Sequence, residues 1–294
     1  MSRVFERVAI LGLGLLGGSV ARAARKAGLA SRVVGYARRR GPLEYALAEG
    51  IVDEIADLKG AVSGADLVVL ASPVSAMQGL VAEAAPWLAE GALVTDVGSI
   101  KGALADSLPG LLPSGVEYVG AHPMAGSHLQ GIEFASEDLF QGAPCVVTPL
   151  RSNPAEAVEA ISAFWEGLGA RVIIRAPGAH DAEVAWVSHA PHLLAFAFAR
   201  TLADAPAAAG ELVGSGFRDF ARIANSEPAL WAEILNANRK AVASPIKAFS
   251  DALAELARLI EEGDIEAQQA FLARARASLE TITQKVSSPV DSAS

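Results

Sequence analysis

The sequence predicts an α/β N-terminal domain with a mostly parallel sheet, followed by an all-α C-terminal domain. Three observations carry this prediction. Over the first 176 positions, short runs of consecutive apolar residues alternate with helix-like segments. Runs without in/out alternation are strands buried on both faces, as in a parallel sheet covered by helices. A glycine fingerprint, Gly12-Leu13-Gly14-Leu15-Leu16-Gly17, follows the first such run. After Pro177-Gly178 no strand-like run recurs, and long helical patterns take over.

Arg7–Leu11 is the first expected strand. Leu15–Ala27 follows as a helix stopped by Gly28, a residue suited to the position after a helix end. Arg32–Tyr36 is the second strand, and Leu43–Glu49 is a short helix stopped by Gly50. Asp66–Leu70 is a continuous apolar strand that ends in Ala71-Ser72-Pro73. A helix over Ala76–Leu88 leads to strand Ala92–Thr95, which ends in Asp96. Val116–Val119, Cys145–Thr148 and Arg171–Ile174 are expected as further strands, with helix Ala155–Leu168 before the last. Beyond them, Asp181–Leu202 and Glu211–Ala224 read as helices. Ser226-Glu227-Pro228 reads as a helix start with Ser226 as N-cap. Pro245–Glu261 and Ile265–Lys285 read as two long helices joined at Gly263. The expected domains are 1–176 and 177–294, with a tail from Ser287 that frays.

The 294 residues are 52% hydrophobic, enough to build a sizeable core. Twenty-four basic against thirty-three acidic residues give a net charge of −9. With no basic run beyond Arg38-Arg39-Arg40, a nucleic-acid partner is not expected. The apolar run that starts at Val8 breaks at Gly12, too short to span a bilayer, and no basic segment precedes a long apolar one. The expected location is therefore cytoplasmic, with no membrane partner. Cys145 is the single cysteine. Its strand-like setting suits a small buried hydrophobe better than a reactive thiol. No metal is expected.

The glycine fingerprint gains meaning from its place between a strand and a helix, which makes the first domain Rossmann-type. Gly12 allows the tight turn, Gly14 lets the backbone approach a pyrophosphate, and Gly17 lets helix and strand pack closely. The N–H groups around Leu15 and Leu16 then face the phosphates at the helix N-terminus. At the end of strand two, an acidic residue would bind the 2′-hydroxyl of NAD. Ala37 stands there instead, followed by Arg38 and Arg39. Guanidinium groups suit a 2′-phosphate, so NADP is expected and NAD less so. A solvated basic loop is the alternative. Ser72 and Pro73, at the end of a buried strand, are expected on the nicotinamide side.

Asp96-Val97-Gly98-Ser99-Ile100-Lys101 also follows a buried strand, so it emerges at the ligand-binding edge of the sheet. Ser99 reads as a hydrogen-bonding partner for a substrate hydroxyl, as an N-cap for a Lys101–Ser107 helix, or as both. Lys101 reads as a solvated or structural cation. Gly120-Ala121-His122-Pro123-Met124-Ala125-Gly126-Ser127 reads as a short loop framed by glycine and proline. An imidazole there titrates near neutrality and can accept a hydroxyl proton as hydride departs. Pro191 removes a backbone donor inside the Asp181–Leu202 pattern and should kink it beside His189 and His192. Arg218 and Arg222 stand four apart on one expected helix face, so both can reach an anion. Trp231 reads as core or as a wall of the site.

The chain resembles the prephenate/arogenate dehydrogenases of tyrosine biosynthesis. The resemblance rests on the fingerprint, on Asp96–Lys101, on Ala121–Gly126, on His180-Asp181 with Ser188-His189-Ala190-Pro191-His192, and on Gly216–Ala224 with Pro228 and Trp231. It implies His122 as catalytic base, assisted by Ser99 at the ring hydroxyl and the nicotinamide. It implies Ser127 in the substrate pocket, His192 and Arg222 on substrate polar groups with Arg222 at a carboxylate, and Trp231 shaping the site. His180 and His189 become supporting residues. Several prephenate-specific relatives carry an acidic residue after the position of Ser127, where this chain has His128. No βαββαβ regulatory pattern appears near Lys285, and no mutase-like helical pattern precedes Val8, so tyrosine feedback through an appended module is not expected.

The expected function is NADP-dependent oxidative decarboxylation of prephenate or arogenate. Two alternatives compete: an oxidoreductase of the β-hydroxyacid dehydrogenase type, and a non-catalytic nucleotide-sensing module. The first uses a lysine on the first long helix after the cofactor domain, and no lysine lies between Asp181 and Leu202. A homodimer is expected, because Ile246, Phe249, Leu253, Leu256 and Ile260, with Phe271, Leu272, Leu279 and Ile282, offer more apolar surface than a small domain covers alone.

Overall fold

A computed structural model describes residues 4–126 and 129–287. β1 (Phe5–Leu11), α1 (Leu15–Lys26), β2 (Ala30–Tyr36), α2 (Arg40–Ala48) and β3 (Glu54–Ile55) open the chain. α3 (Leu58–Val62), β4 (Leu67–Leu70), α4 (Val74–Ala84), β5 (Leu93–Asp96), α5 (Gly102–Ser107) and β6 (Glu117–Tyr118) follow. The six strands form an all-parallel sheet in the order β3-β2-β1-β4-β5-β6. Both faces are buried. Val8, Ile10, Val33 and Val69 pack into one core with Phe164 and Trp165, while Ala9, Leu11, Val68 and Leu70 pack into another with Met77 and Val81. This two-sided burial is why the strands read as unbroken apolar runs.

The strand order reverses between β1 and β4, where Leu11 lies in register with Leu70. In open parallel sheets the crevice beyond such a reversal is where ligands bind.

The last strands depart from expectation. β7 (Gly120–Pro123), β8 (Pro144–Thr148) and β9 (Arg171–Ile174) form a separate sheet, with α6 (Ala155–Gly167) between the last two. β7 pairs antiparallel to β8, and β8 parallel to β9. The segment around His122, expected as a loop, is thus a strand up to Pro123. Its proline is tolerated because β7 is the edge of its sheet, where a missing N–H costs no ladder bond.

Helices make up the rest: α7 (Pro177–Val184), α8 (Ala190–Thr201), α9 (Ser215–Ala221), α10 (Pro228–Ala237), α11 (Arg239–Glu261) and α12 (Ile265–Ser287). No strand follows β9 among the described residues. The expected Asp181–Leu202 helix is interrupted by a π turn over Ala185–His189, and Pro191 sits in the first turn of α8, where its missing N–H is harmless. The expected Glu211–Ala224 helix shrinks to α9 between two 3-10 pieces. Glu227, not Ser226, caps α10 by accepting from Ala229 N. α11 begins at Arg239 and carries Pro245 inside it.

The chain divides into two compact units between Val242 and Ala243, inside α11. In the second unit, Gln268 Nε2 donates to the Leu259 carbonyl at 2.9 Å and Arg274 pairs with Glu255 at 3.2 Å. Leu253, Ile260, Leu272, Leu279 and Ile282 are each more than half exposed in this chain. Among the described residues no helix is long and apolar enough to cross a membrane.

Candidate active site

The fingerprint glycines sit at the strand reversal. Gly12 has φ of +122°, and a Cβ there would lie 2.5 Å from the Ala71 carbonyl carbon. A Cβ on Gly17 would lie 1.9 Å from Gly12 O. Both positions are therefore closed to side chains by the protein itself. Gly14 differs: nothing lies within 4 Å of its Cβ position. It precedes α1, whose N-terminus receives no side-chain cap, and Gly14, Leu15 and Leu16 are each half-buried. Ser72 and Pro73 lie beside Gly12, since the Ser72 backbone nitrogen is 2.8 Å from the same built Cβ. This cradle fits a dinucleotide: close backbone, unmet donors and positive helix potential together.

At the end of β2, Ala37 is half-buried and Arg38 and Arg39 are exposed, with no side-chain partner among the described residues. Arg40 is engaged by Glu44 at 2.7 Å.

Past β5 lies a buried charge network. Lys101 and Asp96 are both fully buried and ion-paired. Lys101 Nζ also donates to the Ala121 carbonyl at 2.7 Å. Asp96 accepts from Gly98 N, from the Tyr118 hydroxyl and from Ala121 N. Lys101 is thus a structural cation and not a solvated one, tying the parallel sheet to the strand that bears His122. Burial pushes its ammonium below the ordinary lysine value, with Asp96 opposing. Ser99, half-buried on the intervening loop, does not cap α5. The cap is Asp181, whose carboxylate accepts from Lys101 N and Gly102 N, each at 2.8 Å. A cavity of about 300 Å3 opens beside Ser99, floored by Ile100, Leu104 and Ile234.

His122 is 8% exposed. Its Nδ1 lies 2.8 Å from Nε2 of the buried His180, whose own Nδ1 lies 2.8 Å from Asp181 Oδ1. Burial, with His180 and the Lys101 cation close by, pushes His122 well below the ordinary histidine value. At neutral pH the ring is neutral and keeps a lone pair. The sequence marked His180 only as a supporting residue. The adjacent His180-Asp181 pair was the available signal.

A second cluster adjoins it. Asn238 Nδ2 donates to the Asp181 carbonyl at 2.8 Å and contacts His189 Nδ1 at 3.1 Å. Asn238 had no signal in the sequence beyond its place after α10. Burial lowers His189 to about 4. His192 Nδ1 donates to the Ser188 carbonyl at 2.9 Å, one helical turn away. Its ring stacks on Trp231, which is buried. Burial, with the Arg222 cation adding to it, pushes His192 below its ordinary value. Arg222 itself is exposed, in the 3-10 piece after α9. Arg222 N–H still donates to the Arg218 carbonyl, so the two arginines keep the one-turn spacing expected of them, while the Arg218 guanidinium donates to the Val213 carbonyl. Ser127 and His128 lie outside the described residues. Cys145 is a buried β8 residue whose thiol is pushed up by burial, as expected of an inert cysteine. No group of side chains able to hold a metal occurs among the described residues.

Residues 20–174 match the family described as prephenate dehydrogenase, nucleotide-binding domain, and residues 176–274 match its dimerization domain. The chain is 33% identical over 283 residues to the cyclohexadienyl dehydrogenase of Zymomonas mobilis, covering 92% of this chain and 96% of that protein. Among solved structures, prephenate dehydrogenase from Aquifex aeolicus, in complex with hydroxyphenyl propionate and NAD+, aligns with a TM-score of 0.88. It is 31% identical, covering 96% of this chain and all of that one. Synechocystis arogenate dehydrogenase aligns with a TM-score of 0.81 at 29% identity, over 94% of this chain and 99% of that one. A glycine cradle at the strand reversal, a buried neutral histidine and these matches over most of the length lead to one conclusion: the chain belongs to the prephenate dehydrogenase family.

Proposed function

We propose that this protein oxidatively decarboxylates prephenate or arogenate with NADP+ as the preferred cofactor. The observation that carries the reading is His122: buried, held neutral, and tied through Ala121 to the network at the end of β5. Gly12, Gly14, Leu15, Leu16 and Gly17 hold the pyrophosphate, Arg38 and Arg39 the 2′-phosphate, and Ser72 and Pro73 the nicotinamide side. When bound, the cofactor supplies the hydride acceptor.

The His122 ring takes the proton of the ring hydroxyl as its carbon is oxidised to a ketone. The bond to the ring carboxylate then breaks, its electron pair enters the ring and carbon dioxide leaves. The ring oxygen recovers a proton from His122, so the cycle releases none. Ser99 hydrogen-bonds the hydroxyl and keeps it near the base. Arg222 clamps a substrate carboxylate, and His192, held against Trp231, meets the rest of the substrate side chain. We assign cofactor binding to residues 1–176 and the helical, dimer-forming part to 177–294. The exposed apolar residues of α11 and α12 support a homodimer.

The test is absorbance of reduced cofactor with NADP+ or NAD+ and each of prephenate and arogenate. Turnover of at least one substrate, faster with NADP+, is expected. No turnover of either refutes the activity, and equal or faster turnover with NAD+ refutes the cofactor preference.

A further inference from the structure

The tautomer of a neutral histidine is set by its hydrogen-bond partners, and here the partners form a chain with one fixed end. Asp181 holds that end. Its carboxylate accepts from Lys101 N, Gly102 N and His180 Nδ1, each at 2.8 Å. Burial alone would raise the Asp181 carboxyl, but the hydrogen bonds from His180, Lys101 and Gly102 outweigh it and hold it below its ordinary value. An ionised carboxylate only accepts, so His180 must carry its proton on Nδ1. With one proton on each ring, the Nε2 lone pair of His180 faces His122 Nδ1, 2.8 Å away. The bond between the rings therefore runs from His122 Nδ1–H to His180 Nε2. That leaves the lone pair of His122 on Nε2, the nitrogen farther from the backbone.

We propose that Asp181 is a positioning residue for catalysis: through His180 it fixes His122 as a base on Nε2, and through the N–H groups of Lys101 and Gly102 it holds the loop bearing Ser99. The proposal rests on the reading of His122 as the base. One carboxylate on α7 thus sets both the base and its hydroxyl partner, although neither lies on a helix of the second half of the chain. The dependence has a chemical cause. An amide whose NH2 takes the place of Oδ1, the oxygen shared by Lys101 N and His180 Nδ1, gives up the Lys101 bond and donates to His180 Nδ1, which would move the His180 proton to Nε2 and push the His122 proton out to its own Nε2. The base would then face the substrate with a proton already in place.

The test uses full-length protein with ring-15N histidine, which is practical because the chain has five histidines. NMR of the ring nitrogens in saturating NADP+ reports which nitrogen of each ring is protonated, with His122→Asn identifying the His122 signals. Wild-type His122 should be protonated on Nδ1 and bare on Nε2. Asp181→Asn should invert that pattern and lower kcat by about 10²–10⁴-fold, the usual range for losing a general base, while KM for NADP+ stays near the wild-type value. His180→Phe, which keeps a ring in place but breaks the chain, should lower kcat in the same way. A wild-type His122 protonated on Nε2 overturns the proposal without any variant. So does wild-type kcat in Asp181→Asn or His180→Phe. If His122→Asn itself keeps turnover, the reading of the base falls and this proposal with it. If His122→Asn is inactive while Asp181→Asn turns over normally, only the present proposal falls.

Discussion

The ring of His192 lies against that of Trp231, with centroids 3.9 Å apart and planes inclined by 22°. The His189 ring stands at 82° to the same indole, with centroids 5.9 Å apart. Trp231 thus packs against one histidine by stacking and against another in a T-shaped contact. Replacing it with leucine keeps an apolar core residue but removes the stack, a contribution of about 0.5–1.5 kcal/mol for aromatic pairs. Trp231→Leu should raise the substrate KM by roughly threefold to tenfold with a smaller change in kcat, measured by steady-state kinetics. An unchanged KM would make Trp231 a core residue only.

Arg222 is the proposed carboxylate clamp. It is exposed in the free chain, so its contribution is that of a charge-assisted hydrogen bond and not of a buried pair, about 1.5–3 kcal/mol. Arg222→Gln should raise the substrate KM by roughly tenfold to a hundredfold and leave the cofactor KM and the unfolding midpoint unchanged. Equal weakening of cofactor and substrate would assign Arg222 a structural role.

Acid should act in stages. Burial holds His189 at about 4 and His122 well below the ordinary histidine value. Unfolded, both titrate near 6.5. Between that value and the folded ones the unfolded chain binds protons that the folded chain does not, so stability falls as pH falls from about 6.5 toward 4. Asp181 is depressed below 3.8; its contribution is present above that value and is lost as pH drops through its lower folded value. Urea midpoints measured across this range should decline in that order. kcat/KM should stay level through about pH 6.5 and fall only where His122 becomes protonated. An acid limb centred on the ordinary histidine value would contradict the effect ascribed to burial.

Cofactor choice turns on the end of β2. Ala37 leaves no acceptor for a ribose diol, and exposed Arg38 and Arg39 can bond a 2′-phosphate. NADP+ should be preferred over NAD+ in kcat/KM, and less so at high salt, because the contact is near the surface. Ala37→Asp with Arg38→Leu should move the preference toward NAD+ by adding a diol acceptor and repelling the phosphate. A wild-type preference for NAD+ would reduce the arginines to a solvated loop.

The cofactor half was legible because its signals are local. Glycine spacing and two-sided apolar runs need only neighbours in sequence, and Gly12 and Gly17 are forced by contacts within a few residues or across one strand pair. β7 was hidden because Gly120 and Pro123 read as loop punctuation, and only its place at a sheet edge makes them acceptable in a strand. In the helical half, the π turn at Ala185–His189 and the 3-10 pieces around α9 break patterns that periodicity alone would continue. His122 and Ser99 could be picked out by residue type and place. What holds them could not: Asp181 lies 80 and 79 positions from the N–H groups of Lys101 and Gly102 that it caps. Contacts of that kind leave no spacing rule to read.

If His122 is the base of a cyclohexadienyl oxidation, the turnover of His122→Asn with NADP+ and each of prephenate and arogenate must show it. Asparagine keeps polarity and approximate size but cannot take up a proton. The kcat of the variant should fall by about 10²–10⁴-fold, with cofactor and substrate binding near the wild-type values. Turnover within a few-fold of wild type would contradict it and leave His122 a structural residue of β7.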